Sequence, residues 1–199
     1  MTITIRAAET MADCNQISQL EAEIWGGETT TASLLRSIMH GRGTMLMALD
    51  GEKVVGFCYS FLSFTEQGEQ KELKHYSYIL GVHPDYRNKN LGYQLKMAQR
   101  EVVLEQGISH MTWTYDPLET RNANLNLSKL RGVCHTYHES FYGLTDDPLN
   151  KGMATDRFMV DWWVDSEWVS QPAELPQTRV EWLAQEAVII NPTIKEEGQ

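Results

Sequence analysis

The residues best suited to chemistry lie in one stretch, 82–93, which reads VHPDYRNKNLGY. A β-rich run at 76–82 leads into it, and apolar residues recurring at i, i+4, i+7 and i+11 from Leu91 predict a helix with one buried face after it. First-turn N–H groups of a helix lack intrahelical partners, and the helix dipole favours negative charge there. With Arg87 and Lys89 beside the helix start, the stretch is a candidate phosphate or pyrophosphate site. An ordinary strand–loop–helix connection that binds nothing fits the same pattern.

Composition indicates a single soluble domain that does not bind nucleic acid. The chain has 199 residues and a net charge of −10, whereas nucleic-acid binding needs a basic footprint. It has no run of 18 apolar residues, so no membrane span is expected. No signal-peptide pattern is seen, and three widely spaced cysteines favour free thiols, so a cytoplasmic location is expected.

Charge is unevenly distributed along the chain. Residues 83–100 carry four basic side chains against one acidic, whereas residues 161–199 carry eight acidic against two basic. A basic patch on an acidic protein suits a small polyanionic cofactor, and the acidic remainder favours a cationic acceptor such as an amine. Solubility alone also accounts for many of the acids.

Periodicity and turn signals predict the element order β-α-α-β-β-β-α-β-α-β-β, which makes a mixed α/β (α+β) sheet with helices on both faces. Thr10 and Asp13 form a capping-box pattern, and Asp50-Gly51 marks a hairpin. The predicted strands are 2–6, 44–49, 54–64, 73–82, 109–115, 133–142 and 156–164. Three predicted helices begin after Thr10, at Thr31 and at Leu91, and a fourth spans 120–131.

Residues 87–92, RNKNLG, resemble the acyl-CoA pyrophosphate loop of the GNAT superfamily of N-acyltransferases. That loop reads Arg or Gln, two residues, Gly, one residue, Gly or Ala. Asn90 stands where the family usually has glycine, and since asparagine tolerates φ > 0 it is expected to adopt that conformation. The element order also matches, over roughly residues 2–164. The resemblance implies a GNAT-like domain over 1–165, and it leaves 166–199 as an acidic extension.

The resemblance also implies a cofactor and its binding residues. The cofactor is acetyl-CoA or another acyl-CoA, with no metal, and its pantetheine arm fills a gap between the fourth and fifth strands. An ordinary closed sheet is the alternative. The expected cofactor-binding residues are Leu80, Gly81, Val82, Arg87, Asn88, Lys89, Asn90, Leu91, Gly92, Tyr93 and Asn124. Asn122 could replace Asn124 in this contact, or could cap the helix instead.

The candidate catalytic residues depart from the family pattern. Where many members have a proton-accepting carboxylate on the fourth strand, this chain has Tyr76, whose face Tyr78 and Leu80 are expected to share. Where many members have a tyrosine that protonates the thiolate, it has Ser128. Solvent or Tyr137 are the alternatives for that proton.

The resemblance therefore implies direct transfer of an acyl group, acetyl first of all, from acyl-CoA to an amine of a small molecule or peptide. An acyl-CoA-binding protein with little catalysis is the alternative, and a structural protein that uses its acidic tail without CoA is the third.

His135 and His138 are expected on opposite strand faces, which disfavours zinc. Trp168, Trp182 and 188–190 predict that the extension docks on its own domain or across a homodimer.

Overall fold

The computed structural model describes residues 3–26, 29–65, 71–143 and 155–171. They form seven strands and five α-helices: β1 (Ile3–Ala7), α1 (Met11–Trp25), α2 (Ala32–His40), β2 (Met45–Asp50), β3 (Lys53–Phe64), β4 (Leu73–Val82), α3 (Leu91–Glu105), β5 (His110–Tyr115), α4 (Thr120–Ala123), β6 (Val133–His138), β7 (Arg157–Trp163) and α5 (Glu167–Ser170). A 3₁₀ turn (Pro84–Tyr86) precedes α3, and a π-helix (Asn124–Lys129) continues α4.

Local sequence chemistry sets several of these boundaries. The Thr10 hydroxyl accepts from the Asp13 N–H while the Asp13 carboxylate accepts from the Thr10 N–H, so the predicted capping box begins α1. Gly26, at φ 68°, ends that helix. Gly51, at φ 63°, makes the tight turn between β2 and β3.

The sheet runs β1-β2-β3-β4-β5-β7-β6, and every neighbouring pair is antiparallel except β4 and β5. Helices α1 and α2 cover one face through a core that includes Ile17, Leu35 and Phe57. Helix α3 covers the other face, where Leu91 and Leu95 pack on residues of β2 and β3. In this order β4 and β5 are interior strands of the sheet, which has helices on both of its faces.

The predicted order of sheet strands and major helices is confirmed, with two local differences. The fourth helix is a single α-turn followed by a π-helix, and β6 ends at His138 rather than at residue 142. Cys14, Cys58 and Cys134 are free thiols. Among the described residues, no helix combines the length and the apolar character that a membrane crossing needs.

Candidate active site

A gap opens in the centre of the sheet between β4 and β5. These parallel strands pair only at His75 with Met111 and at Tyr76 with Thr112. Beyond that point, β4 continues to pair with β3 up to Val82 but has no partner on β5. The expected separation of the two strands is thus present, and the closed-sheet alternative is excluded.

Backbone direction decides which groups of β4 line this gap. The His83 N–H donates to the Val55 carbonyl at 2.9 Å, so His83 faces β3. Hydrogen-bonded and non-hydrogen-bonded positions alternate along an antiparallel pair, so Gly81 also faces β3, whereas Leu80 and Val82 point their N–H and C=O groups into the gap. Gly81 was expected to supply backbone contacts to the cofactor, but its N–H and C=O are turned towards β3.

Gly81 has a packing reason for being glycine. A Cβ at this position would lie 2.7 Å from Cε1 of Phe57 and 3.0 Å from Cη2 of Trp25. The close approach lets two aromatic rings pack against the strand beside the gap.

A β-bulge at Tyr78 changes which side chains share a face. The register moves from Tyr59–Ile79 to Ser60–Ser77, so Tyr78 is an extra residue on β4. Leu80 therefore packs in the core on the α3 side and does not share a face with Tyr76. Simple alternation predicted the opposite, because an inserted residue inverts the facing of every later side chain.

The loop before α3 has the geometry that its sequence predicts. Asn90 is at φ 61° and Asn88 at φ 62°, both left-handed, and the Lys129 ammonium donates to Oδ1 of Asn90 at 2.9 Å. No side chain caps the N-terminus of α3 among the described residues. The first-turn N–H groups are consequently free to meet an anion.

Basic side chains surround this helix start. Arg87 and Lys89 are exposed, and Nε of Arg87 donates to the Val82 carbonyl at 3.3 Å. The Lys89 ammonium lies 4.8 Å from the centre of the Tyr86 ring. Leu91 is buried in the core, so only its backbone can contact a ligand here.

Aromatic side chains line the other face of the gap. Phe61 lies 5.4 Å from Tyr76 and 6.1 Å from Tyr78, measured between ring centres. Across the gap, the hydroxyl of Thr114 on β5 lies 3.3 Å from the hydroxyl of Tyr142, which follows β6 in the chain. Burial raises the pKa of Tyr76, so its phenol stays protonated at neutral pH and can donate a hydrogen bond but cannot act as a base.

Glu21 is a carboxyl on this face that sequence analysis missed. It is buried on α1, and its Oε1 accepts from the N–H and hydroxyl of Thr30, both at 3.2 Å. Its Oε2 has no partner among the described residues, and burial raises its pKa. The sequence signal was a carboxylate four residues after Ile17, within the apolar stripe of an amphipathic helix.

The hydroxyl of Thr30 connects Glu21 to the aromatic face. It lies 2.7 Å from the hydroxyl of Tyr59, whose ring centre is 5.8 Å from that of Tyr78. The side chains from Glu21 to Tyr78 thus form one contiguous group beside the gap.

The remaining candidates lie on or near the π-helix. Ser128 and Asn124 are both exposed there, whereas Asn126 is buried. Asn122 does not cap α4, which begins after Glu119. Tyr137 donates its hydroxyl to Asp156 on the β6–β7 hairpin. Within the described part of the chain, no cluster of His, Cys, Asp and Glu has the arrangement of a metal site.

A central gap between parallel strands, with an uncapped helix N-terminus at its end, is the arrangement expected of acyl-CoA-dependent N-acyltransferases. The sequence model of the acetyltransferase (GNAT) family matches residues 12–130. The chain therefore belongs to the acetyltransferase (GNAT) family and is an acyl-CoA-dependent N-acyltransferase. No curated protein matches it significantly in sequence.

Solved structures of the same fold have low sequence identity to this chain. The ribosomal-protein-S18-alanine N-acetyltransferase of Escherichia coli is 16% identical, with a TM-score of 0.63 over 89% of this chain and 98% of that one. NAA60 of Arabidopsis thaliana with a bisubstrate analogue is 17% identical, with a TM-score of 0.64 over 81% and 99%. The protein yncA of Salmonella typhimurium with acetyl-CoA is 18% identical, with a TM-score of 0.62 over 86% and 98%. These likenesses establish a shared fold.

Proposed function

We propose that this protein transfers an acyl group, acetyl in the simplest case, directly from acyl-CoA to an amine within a ternary complex. The observation that carries the proposal is the gap between β4 and β5 that leads to the uncapped N-terminus of α3. One elongated ligand with an anionic end and an amide-containing arm suits both features.

The pyrophosphate of that ligand belongs at the start of α3. Three backbone N–H groups, those of Leu91, Gly92 and Tyr93, face it, with Arg87 and Lys89 adding positive charge. Asn88 and Asn90 contribute through their left-handed backbone, which turns the loop around the anion. Asn124, exposed at the start of the π-helix, is the proposed contact to the rest of the nucleotide.

The pantetheine arm then runs along β4. The gap-facing N–H of Val82 and the N–H and C=O of Leu80 are available to its amides and to the thioester oxygen, whereas the Val82 carbonyl also accepts from Nε of Arg87. Such preorganised N–H donors stabilise the oxyanion that forms when an amine attacks the carbonyl carbon. The carbon–sulfur bond then breaks and the thiolate takes a proton.

The acceptor amine approaches from the aromatic face, where Tyr76 and Tyr78 are partly open to solvent. Tyr76, as a protonated phenol, positions the amine or the leaving group. Glu21, with its raised pKa, is the proposed destination of the amine proton, by way of water or Tyr59. Since Ser128 is exposed and a serine hydroxyl is a weak acid, solvent is the proposed source of the thiolate proton.

The acceptor proposed here is a cationic small molecule or the amino group of a peptide. An acidic chain favours a cation in both cases. The structure of the NatC complex bound to Gag peptide and CoA, which is 12% identical with a TM-score of 0.62, shares this fold. That likeness makes peptides a reasonable first panel.

Thiol release from acetyl-CoA, measured over a panel of peptides and small amines, tests the proposal. We expect release that depends on the amine and falls in Tyr76→Phe. Tyr78→Phe is the matched control, because it removes a neighbouring hydroxyl from the same face. If native mass spectrometry shows bound CoA but no amine supports thiol release, the binding-protein alternative is correct. If no CoA binds, the whole proposal is wrong.

We also propose that the catalytic domain spans 1–165 and that the extension 166–199 docks on it or on a partner in a cytoplasmic homodimer. The first residues of the extension support docking. Nε1 of Trp168 donates to the Arg131 carbonyl at 2.9 Å, and the Arg131 guanidinium lies 3.5 Å from the centre of the Trp168 ring. Trp182 and 188–190 lie outside the described residues. Sedimentation of the full chain tests the dimer.

A further inference from the structure

A buried lysine lies where β4 and β5 separate. Lys96 of α3 is 2% exposed, and its ammonium donates to the Ser77 hydroxyl at 2.8 Å. Its Nζ is also 3.7 Å from the centre of the Trp113 ring. Ser77 and Trp113 are the first residues after the last paired positions of their strands. Lys96 therefore contacts both strands at the closed end of the gap.

The other neighbours of Lys96 are oriented towards a cation. Nε2 of Gln99 donates to the Thr44 hydroxyl at 2.9 Å, which turns Oε1 of Gln99 towards the lysine at 3.2 Å. The ring of Trp162 lies 5.8 Å from Nζ. Two oxygens and two aromatic faces thus surround the ammonium, and all of them are uncharged.

An ammonium held in this way has no counter-ion among the residues that the structure describes. None of the described carboxylates pairs with Lys96, and the titratable group that faces it is the buried Cys58 thiol of β3. Burial raises the pKa of Cys58 to about 12, so that thiol is neutral. Buried ammonium groups are normally paired because desolvation is costly, and burial lowers the pKa of Lys96 to about 7. An anion entering the gap would supply the missing partner.

The direction of the cofactor indicates which anion this is. The arm enters beside α3 and passes Val82 and Leu80, so its acyl end points towards Ser77 and Lys96. Leu80 is three residues from Ser77, about 10 Å along a strand. At about 1.25 Å per carbon–carbon bond, an acyl chain of about six to eight carbon atoms covers that distance, with the hydrogen bond to the ammonium included.

We propose that the closed end of the gap selects an acyl-CoA whose acyl chain ends in a carboxylate, with Lys96 as its counter-ion. This proposal rests on the proposed acyl transfer and names its donor more closely. The carboxylate takes hydrogen bonds from Nζ of Lys96 and displaces no charged partner. Acetyl-CoA, which lacks this group, remains a poorer donor.

Calorimetry on the full chain with matched thioesters tests this inference. Adipyl-CoA is compared with hexanoyl-CoA, and suberyl-CoA with octanoyl-CoA, because each pair has equal carbon count and differs in the terminal carboxylate. At pH 7 we expect one of the carboxylated thioesters to bind at least about tenfold more tightly than its match, the scale of a hydrogen bond to a charged group. Free CoA and acetyl-CoA serve as references.

Variants assign the preference to Lys96. Lys96→Met keeps the length of the side chain but removes its charge, and replacing a buried charge by an apolar side chain is often tolerated by the fold. In Lys96→Met we expect the two thioesters of each pair to bind with equal affinity. Lys71→Met, at an exposed lysine, should keep the wild-type preference.

Proton uptake gives a second readout that a purely structural lysine would not produce. A bound carboxylate raises the pKa of the ammonium, so at pH 8 binding should draw in up to about one proton. Binding enthalpies in two buffers of different ionisation enthalpy measure this uptake for adipyl-CoA against hexanoyl-CoA. Equal affinities within each pair, or equal proton uptake, would refute the inference and leave acyl transfer intact. Failure of every thioester and of free CoA to bind would refute both.

Discussion

Replacing Asn90 by valine should weaken cofactor binding without unfolding the protein. Asn90 is at φ 61° and ψ 14°, in the left-handed region, immediately before the first turn of α3. A β-branched residue there costs about 1–2 kcal/mol. If the free loop relaxes to avoid this strain, CoA binding must return the loop to the left-handed conformation. The Kd for CoA should then rise about 5- to 30-fold.

Two controls separate the backbone from the side chain of Asn90. Asn90→Gly removes the strain, since glycine adopts positive φ freely, and loses only the contact with Lys129. Lys129→Met loses the same contact and leaves the Asn90 backbone as it is. Both should bind CoA within about threefold of wild type, the scale of one exposed hydrogen bond.

Titration calorimetry of CoA against all four proteins is the assay, with thermal melting as the check on folding. Asn90→Val binding CoA as tightly as wild type would show that the left-handed loop is not needed for the anion site. Equal losses in Asn90→Val, Asn90→Gly and Lys129→Met would assign the effect to the lysine contact.

Four further predictions concern other parts of the site. Arg87→Ala should weaken CoA binding by about 1–3 kcal/mol, and equal affinity by calorimetry would remove Arg87 from the site. Ser128→Ala should change turnover less than about tenfold; a thousandfold loss with intact circular dichroism would assign it a chemical role. Burial raises the pKa of Glu21, so this group favours folding below its unfolded pKa and loses that contribution as pH rises through the folded value. Glu21→Gln should therefore raise the melting temperature at pH 8 more than at pH 4, and an equal shift at both would contradict this. Deleting 166–199 removes the contact of Trp168 with the domain, so the melting temperature should fall, and an unchanged melt would argue against docking.

Much of the architecture follows from short-range signals in the sequence. The capping box at Thr10, the Asp50-Gly51 turn and the apolar spacing after Leu91 depend on residues within a few positions of one another. The left-handed Asn90 follows in the same way, because asparagine is among the residue types that replace glycine in such a loop at small cost. These features set the element order and the location of the anion site.

Long-range pairing decided the rest of the site. Alternation along β4 assigns Leu80 to the face of Tyr76, but one extra residue opposite β3 places it on the other side. Glu21 and Tyr59 lie far apart in the chain and meet only because α1 packs on β3. From the sequence, Lys96 looks like an ordinary lysine of a helix; only the tertiary structure places it where β4 and β5 separate. The sequence by itself determined the elements and the loop, because those depend on neighbouring residues. Which strand turns which side chain into the gap was decided by register and packing between distant segments, which local patterns do not encode.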